Sequence, residues 1–305
     1  MGQRRVIRRV VGALLIAGCA AGCGTPPPAV PSRGPSEAPS NAPATGAGQR
    51  AADGRLTIDV GGVSRTYLLH SPAGSSGRTR LPLVIALHFY PGTGSALREM
   101  IGMDAKADRQ NFLVAYPDGI DKGFNALVCC GSADDVAFLR ALAQHLVTAG
   151  RVDPDRVYLA GISNGGDMSF RAAVEATGLF AAIGVVSGGY IGPRTEAKGY
   201  VPTQPVSVIT VIGSGDRYFA SFRTGIATWQ QRLRCTPATP ARPAATVTLT
   251  TARCADGSDV AVFVVEGMGH VWPGARSGPL AGPDAPIVAT DILWDFFRAH
   301  PRRPR

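Results

Sequence analysis

No apolar run in this 305-residue sequence is long enough to cross a bilayer, and the best candidate, Val10 to Gly18, stops well short of a span. The spacing H-E-x-x-H and comparable ligand patterns are absent, so no metal and no other cofactor is expected. There is no C-x-x-C, which argues against a thiol redox site. There is no stripe of basic residues interleaved with aromatics, so no nucleic-acid partner is expected despite a formal net charge of +9. Part of that charge is local, because without Arg4, Arg5, Arg8 and Arg9 it falls to +5.

Those arginines open a basic leader that runs into the short apolar segment, the arrangement of an export signal. Its end, Leu15-Ile-Ala-Gly-Cys19, has the small residues before a cysteine that a bacterial lipobox requires. Cys19 is therefore the candidate lipidation site, with Cys23 a weaker second choice, and the lipid would anchor the protein to a membrane. Residues 1–23 read as this signal. Residues 24–50 are mostly Pro, Ala, Ser and Gly, too poor in apolar side chains to offset the entropy of ordering, and read as a tether. Residues 51–301 suffice for one catalytic domain, and 302–305 form a basic tail. The expected location is extracytoplasmic, either lipid-anchored or secreted.

Within the domain, Arg55 to Val60 and Ser64 to Leu69 alternate apolar and polar residues around Gly61-Gly62, as an antiparallel hairpin does. Leu83 to Leu87, Phe112 to Tyr116, Val157 to Ala160 and Ile183 to Val186 are continuous apolar runs suited to parallel strands covered on both faces. Helix-like segments alternate with them: Leu97 to Gln110, Asp135 to Ala149 and Asp167 to Ala176. Strand-like runs follow at Val206 to Ile212 and Val260 to Val265, and Ile287 to His300 closes the chain with Ile292, Leu293, Phe296 and Phe297 on one helical face. This order predicts an α/β fold of the α/β-hydrolase type: a mostly parallel doubly wound sheet with an N-terminal antiparallel hairpin and no large lid.

Chemistry enters at Gly161-Ile-Ser163-Asn-Gly165-Gly166, a G-x-S-x-G elbow between a strand and a helix, which makes Ser163 the candidate nucleophile. A serine hydroxyl needs a base, and the base needs an acid, in the chain order serine, acid, histidine. His270 is the histidine that follows the last strand, and Asp216 follows the strand before it; Asp284 is the alternative acid but suits an N-terminal cap of the final helix. The oxyanion donors expected are the amides of Asn164 and of Tyr90, with Phe89 as the alternative to Tyr90. Asp134-Asp135 fits a capping box, Ser132-x-x-Asp135, better than a metal site. Export favours oxidised cysteines, and pairing Cys235 with Cys254 staples the excursion between them, while the pairing of Cys129 and Cys130 stays open.

Several segments together resemble the polyhydroxybutyrate depolymerase and feruloyl esterase family of secreted α/β-hydrolases. They are Leu87-His88, Tyr116-Pro-Asp-Gly119, Cys129-Cys-Gly131 ahead of Asp134-Asp135-Val136, the elbow, Asp216, and Gly269-His-Val-Trp-Pro-Gly274. The resemblance implies hydrolysis of polyhydroxyalkanoate, feruloyl or acetyl esters, possibly polymeric, through an acyl-enzyme on Ser163, with Asp216 and His270 completing the triad. Phe89 stands where the family usually has Gly, which places its bulk against the acyl pocket, and Trp272 is the other candidate wall of the substrate site. Two other readings are a peptidase on the same fold and a substrate-binding lipoprotein without chemistry.

Overall fold

The computed structural model describes residues 55–73 and 79–302. The leader, the tether, Cys19 and Cys23, and most of the basic tail lie outside the described residues. A hairpin of β1 (Leu56–Val60) and β2 (Val63–His70) comes first, then β3 (Leu81–Leu87), α1 (Gly94–Ile101), α2 (Met103–Gln110) and β4 (Leu113–Pro117). Next come α3 (Asp135–Thr148), β5 (Val152–Ile162), α4 (Asn164–Glu175), β6 (Ala182–Val186), β7 (Ser207–Gly213) and α5 (Phe219–Arg232). An edge made of β8 (Thr236–Pro237), β9 (Ala241–Ala244) and β10 (Val247–Arg253) leads into β11 (Asp259–Val265). A small pair, β12 (Trp272–Pro273) and β13 (Ala281–Gly282), precedes α6 (Ala289–Ala299).

The main sheet has the order β1-β2-β4-β3-β5-β6-β7-β11-β10-β8, with β9 also on β10. Its middle, from β4 through β11, is parallel, and β2 of the hairpin and β10 flank it antiparallel. Strands β3, β6 and β7 are buried throughout, which is why they read as unbroken apolar runs. The two faces carry separate cores: Phe138, Leu142, Phe170 and Trp229 of α3 to α5 on one, Leu97, Met103, Leu293 and Phe297 of α1, α2 and α6 on the other. Register brings Leu87 opposite Gly161, Ile162 opposite Val186 and Val265 opposite Gly213, so the loops leaving β3, β5, β6, β7 and β11 all emerge at one edge.

Four expectations are corrected. The single helix over Leu97 to Gln110 is two, because Gly102 turns left-handed (φ 63°) and ends the first one. The helix after the elbow starts at Asn164, directly after the serine, rather than at Asp167. The capping box does not form: Asp134 is the N-cap, accepting the Ala137 amide at 3.0 Å, and Asp135 is buried against Arg65. Asp284 is exposed and does not cap α6, whose N-cap is Val288.

The Arg65–Asp135 pair shows what the neighbouring motifs do. Arg65 Nη2 donates to Asp135 Oδ1 at 2.6 Å and to the Asp118 carbonyl at 3.2 Å, with its guanidinium over the Phe138 ring. Asp135 Oδ2 accepts the Asn125 amide, and Asp118 accepts from Gly94 and Thr66. The buried Asp135 and the half-buried Asp118 tie the hairpin, the loop after β4 and α3 together, and each charge is matched by donors as burial demands. Cys235 is bonded to Cys254, and Cys129 is bonded to its neighbour Cys130.

Candidate active site

The end of β5 passes straight into α4, leaving Ser163 alone in the turn. Its φ of 55° and ψ of −122° lie where few non-glycine residues go, a strain that a surrounding structure must impose. The Ser163 amide donates to Val186 O at 3.0 Å, and its carbonyl accepts the Asp167 amide at 2.9 Å. Glycines flank it for a steric reason: a Cβ on Gly161 would collide with the Gly165 carbonyl, and one on Gly165 with the Leu87 carbonyl.

The loops after β7 and β11 are joined by two hydrogen bonds, Gly215 N–H to Met268 O at 2.9 Å and Gly267 N–H to Ser214 Oγ at 2.8 Å. Asp216 and His270 face each other across that junction. His270 Nδ1–H donates to Asp216 Oδ2 at 2.6 Å, since a carboxylate can only accept, while Oδ1 accepts the Tyr218 amide at 2.9 Å. The Asp216 side chain is wholly buried, and the Tyr218 ring meets the imidazole edge-on. With Nδ1 committed, Nε2 is the nitrogen left for a serine proton. Ser163 and His270 line one cavity of about 550 Å³. Among the described residues no hydrogen bond joins the two directly, a looseness common in hydrolases without substrate.

Asn164 opens α4, where first-turn amides have no intrahelical acceptor and the helix end favours negative charge. Its side chain grips the neighbouring loop: Oδ1 accepts the Phe124 amide at 2.8 Å, and Nδ2 donates to Phe124 O at 2.9 Å and Cys129 O at 3.2 Å. That grip fixes the bonded pair Cys129–Cys130, and Cys129 forms part of the cavity wall. Phe89 and Tyr90 line the cavity from the loop after β3, Phe89 buried and Tyr90 half-exposed.

That loop is held by His88, whose role no local sequence signal marks. His88 Nδ1–H donates to Phe89 O at 2.7 Å and Nε2 accepts the Gly119 amide at 2.9 Å, so both ring nitrogens are used. Complete burial holds the imidazole below its ordinary pKa and therefore neutral, as this pattern of one donor and one acceptor requires. Trp272 is placed differently from its expected role. It is buried in the core against α6, its Nε1–H donates to Thr290 Oγ1 at 3.1 Å, and it is not among the residues lining the cavity.

The profile of the family described as esterase PHB depolymerase matches residues 65–215, which hold the loop after β3 and the elbow. "Putative esterase NocK" of Nocardia uniformis subsp. tsuyamanensis is 30% identical over 79% of this chain and 81% of its own length. This chain belongs to the esterase PHB depolymerase family. Feruloyl esterase B of Piromyces equi is 30% identical to this esterase over 50% of the chain, a match covering 29% of the Piromyces protein. Among solved structures, an acetyl xylan esterase from Aspergillus awamori superposes on the esterase with a TM-score of 0.57 at 17% identity, covering 76% of this chain and 94% of that one. At that identity the likeness speaks for the fold.

One further carboxyl faces the cavity of this esterase. Asp167 lies one helical turn after Ser163, is 8% exposed, and accepts the Gly189 amide at 2.8 Å. Burial pushes its carboxyl from 3.8 up to about 7, with the Gly189 hydrogen bond opposing. The folded protein therefore holds this proton more tightly than the unfolded chain. Stability is highest below about pH 4 on this account and falls as pH rises toward about 7, by roughly 4 kcal/mol in all. Asp167→Asn removes that dependence. By calorimetry the variant is expected to gain in Tm over wild type as pH is raised from 5 to 8; a constant difference across that range would contradict the assignment.

Proposed function

We propose that this esterase hydrolyses carboxylic esters through an acyl-enzyme on Ser163, with His270 as base and Asp216 as its orienting acid. The observation that carries the reading is the 2.6 Å bond between His270 Nδ1 and Asp216, which leaves Nε2 free on the cavity that Ser163 shares. Ser163 Oγ attacks the ester carbonyl as its proton passes to Nε2. The developing oxyanion is met by the amides of Asn164 and Tyr90, donors supplied by backbone already held in place. Collapse releases the alcohol, protonated by the imidazolium. Water then attacks the acyl-enzyme with His270 again as base and frees Ser163.

The substrates proposed are feruloyl, acetyl or polyhydroxyalkanoate-type esters, in keeping with the names of the relatives. The open, largely apolar cavity suits an ester that is part of a longer polymer. The 187–206 segment between β6 and β7 contains a 3-10 turn, Pro193–Glu196, and no helix of lid size. Export is part of the proposal, with anchoring through Cys19. The two disulfides support an oxidising compartment.

The test is chemical. A fluorophosphonate should add to wild-type protein at the peptide containing Ser163, seen by mass spectrometry, and p-nitrophenyl acetate should turn over faster than a matched peptide arylamide. An inert Ser163 in folded protein would make this a binding protein, and preference for the arylamide would make it a peptidase.

A further inference from the structure

Asp167 is not used by the chemistry just described, yet it occupies a costly position. It projects from the first turn of α4, so its backbone is about 6 Å along the helix axis from that of Ser163. Oδ1 is occupied by the Gly189 amide, whereas Oδ2 has no hydrogen-bond partner among the described residues. Oδ2 is also not among the fully enclosed polar atoms that lack a partner, and Asp167 lines the cavity. Phe89, Val128, Ile191, Phe222 and Leu280 make much of the cavity wall apolar, beside the polar Ser187 and Arg217. A carboxyl kept in such surroundings with half of its acceptor capacity unused costs folding stability, and a substrate hydrogen-bond donor is what would offset that cost.

We infer that Asp167 sets substrate specificity in this esterase, its free oxygen accepting a hydrogen bond from a hydroxyl that the acyl group carries within a few bonds of the scissile carbonyl. The short reach follows from the position of Asp167 one turn from the nucleophile. A neutral hydroxyl fits better than an ammonium group. Arg217 lines the same cavity, and the chain without its leader arginines has a formal net charge of +5, so its field opposes cationic ligands. The inference rests on the esterase reading of Ser163 and adds to it the chemistry of the acyl group.

Two observations compete over what Asp167 is for, since its bond to Gly189 also braces the loop after β6. The experiment must separate bracing from recognition. The probes are p-nitrophenyl butyrate, its 2-hydroxy and 3-hydroxy analogues and the 3-amino analogue, compared by kcat/KM at pH 8.5, where Asp167 is ionised and Oδ2 can only accept, in wild type, Asp167→Asn and Asp167→Leu. A hydrogen bond to a charged or partly charged group is worth enough to give wild type a preference of roughly tenfold or more for one of the hydroxyl esters over butyrate. Asp167→Leu should bring that ratio close to one, and Asp167→Asn should lower it too, because its oxygen must stay on the Gly189 amide and its NH₂ then replaces the acceptor that faces the cavity.

A loss of bracing alone would lower all four esters together and leave the ratios as in wild type, which would overturn the inference. So would a wild-type ratio near one, or a preference for the 3-amino ester that Asp167→Leu abolishes. Butyrate turnover and fluorophosphonate labelling of Ser163 in wild type report on the esterase reading separately. If both are absent, that reading fails and the inference falls with it. If both are present and the ratios do not move, only the role of Asp167 fails.

Discussion

Ser163→Ala is expected to reduce p-nitrophenyl acetate turnover by on the order of 10⁴ to 10⁶, leaving only what the oxyanion donors and binding provide. The variant should remain folded, because Ser163 contributes a backbone turn and no side-chain hydrogen bond to the fold. A companion variant sharpens the result. The φ of 55° at this position is strained for any residue with a Cβ. Ser163→Gly should therefore be as inactive as Ser163→Ala but more stable, by about 1 kcal/mol in chemical denaturation. Turnover retained by either variant would remove the serine from the mechanism.

Asp216→Asn is expected to cost about 10⁴ in kcat, for a reason that the geometry makes specific. The Tyr218 amide donates to Oδ1, so an asparagine here must keep its oxygen at that position. Its NH₂ then occupies the place of Oδ2 and points at His270 Nδ1. A donor facing Nδ1 forces that nitrogen to accept, which moves the ring proton to Nε2, and a protonated Nε2 cannot take the serine proton. The loss should appear in kcat with the fold intact, since Asn replaces Asp almost isosterically. Near-normal kcat in this variant would mean that another group orients His270.

Much of the site can be read directly from the chain because its signals are local. The elbow is contiguous, its glycines are dictated by carbonyls in the same turn and in β3, and inner strands announce themselves as unbroken apolar runs. Asp216 and His270 are each recognisable by following a strand, so their order alone pointed to a triad.

Other features carry no local signal. Helix α5 has a weak helical pattern because its apolar residues are sparse and Gly225 sits mid-helix; it is helical because Phe222, Ile226 and Trp229 pack into the core formed with Phe170 and Tyr190. Gly225 is there because a Cβ would crowd the Tyr190 carbonyl, a contact 35 residues away in the chain. Trp272 lies two residues from His270, yet strand β12 turns it toward Thr290 and away from the cavity.

The sequence by itself determined the elbow turn, the succession of strands and helices, the family and the candidate triad, since each depends on residues near one another in the chain or on their order along it. Only the tertiary structure decided that Asn164 clamps the Cys129 loop, that His88 holds the loop carrying Phe89 and Tyr90, and that Asp167 faces the cavity beside Ser163. Those roles depend on which hydrogen-bond partners and how much water remain once distant segments meet. A residue's type sets what it can donate, accept or ionise; the packing around it sets which of these it does.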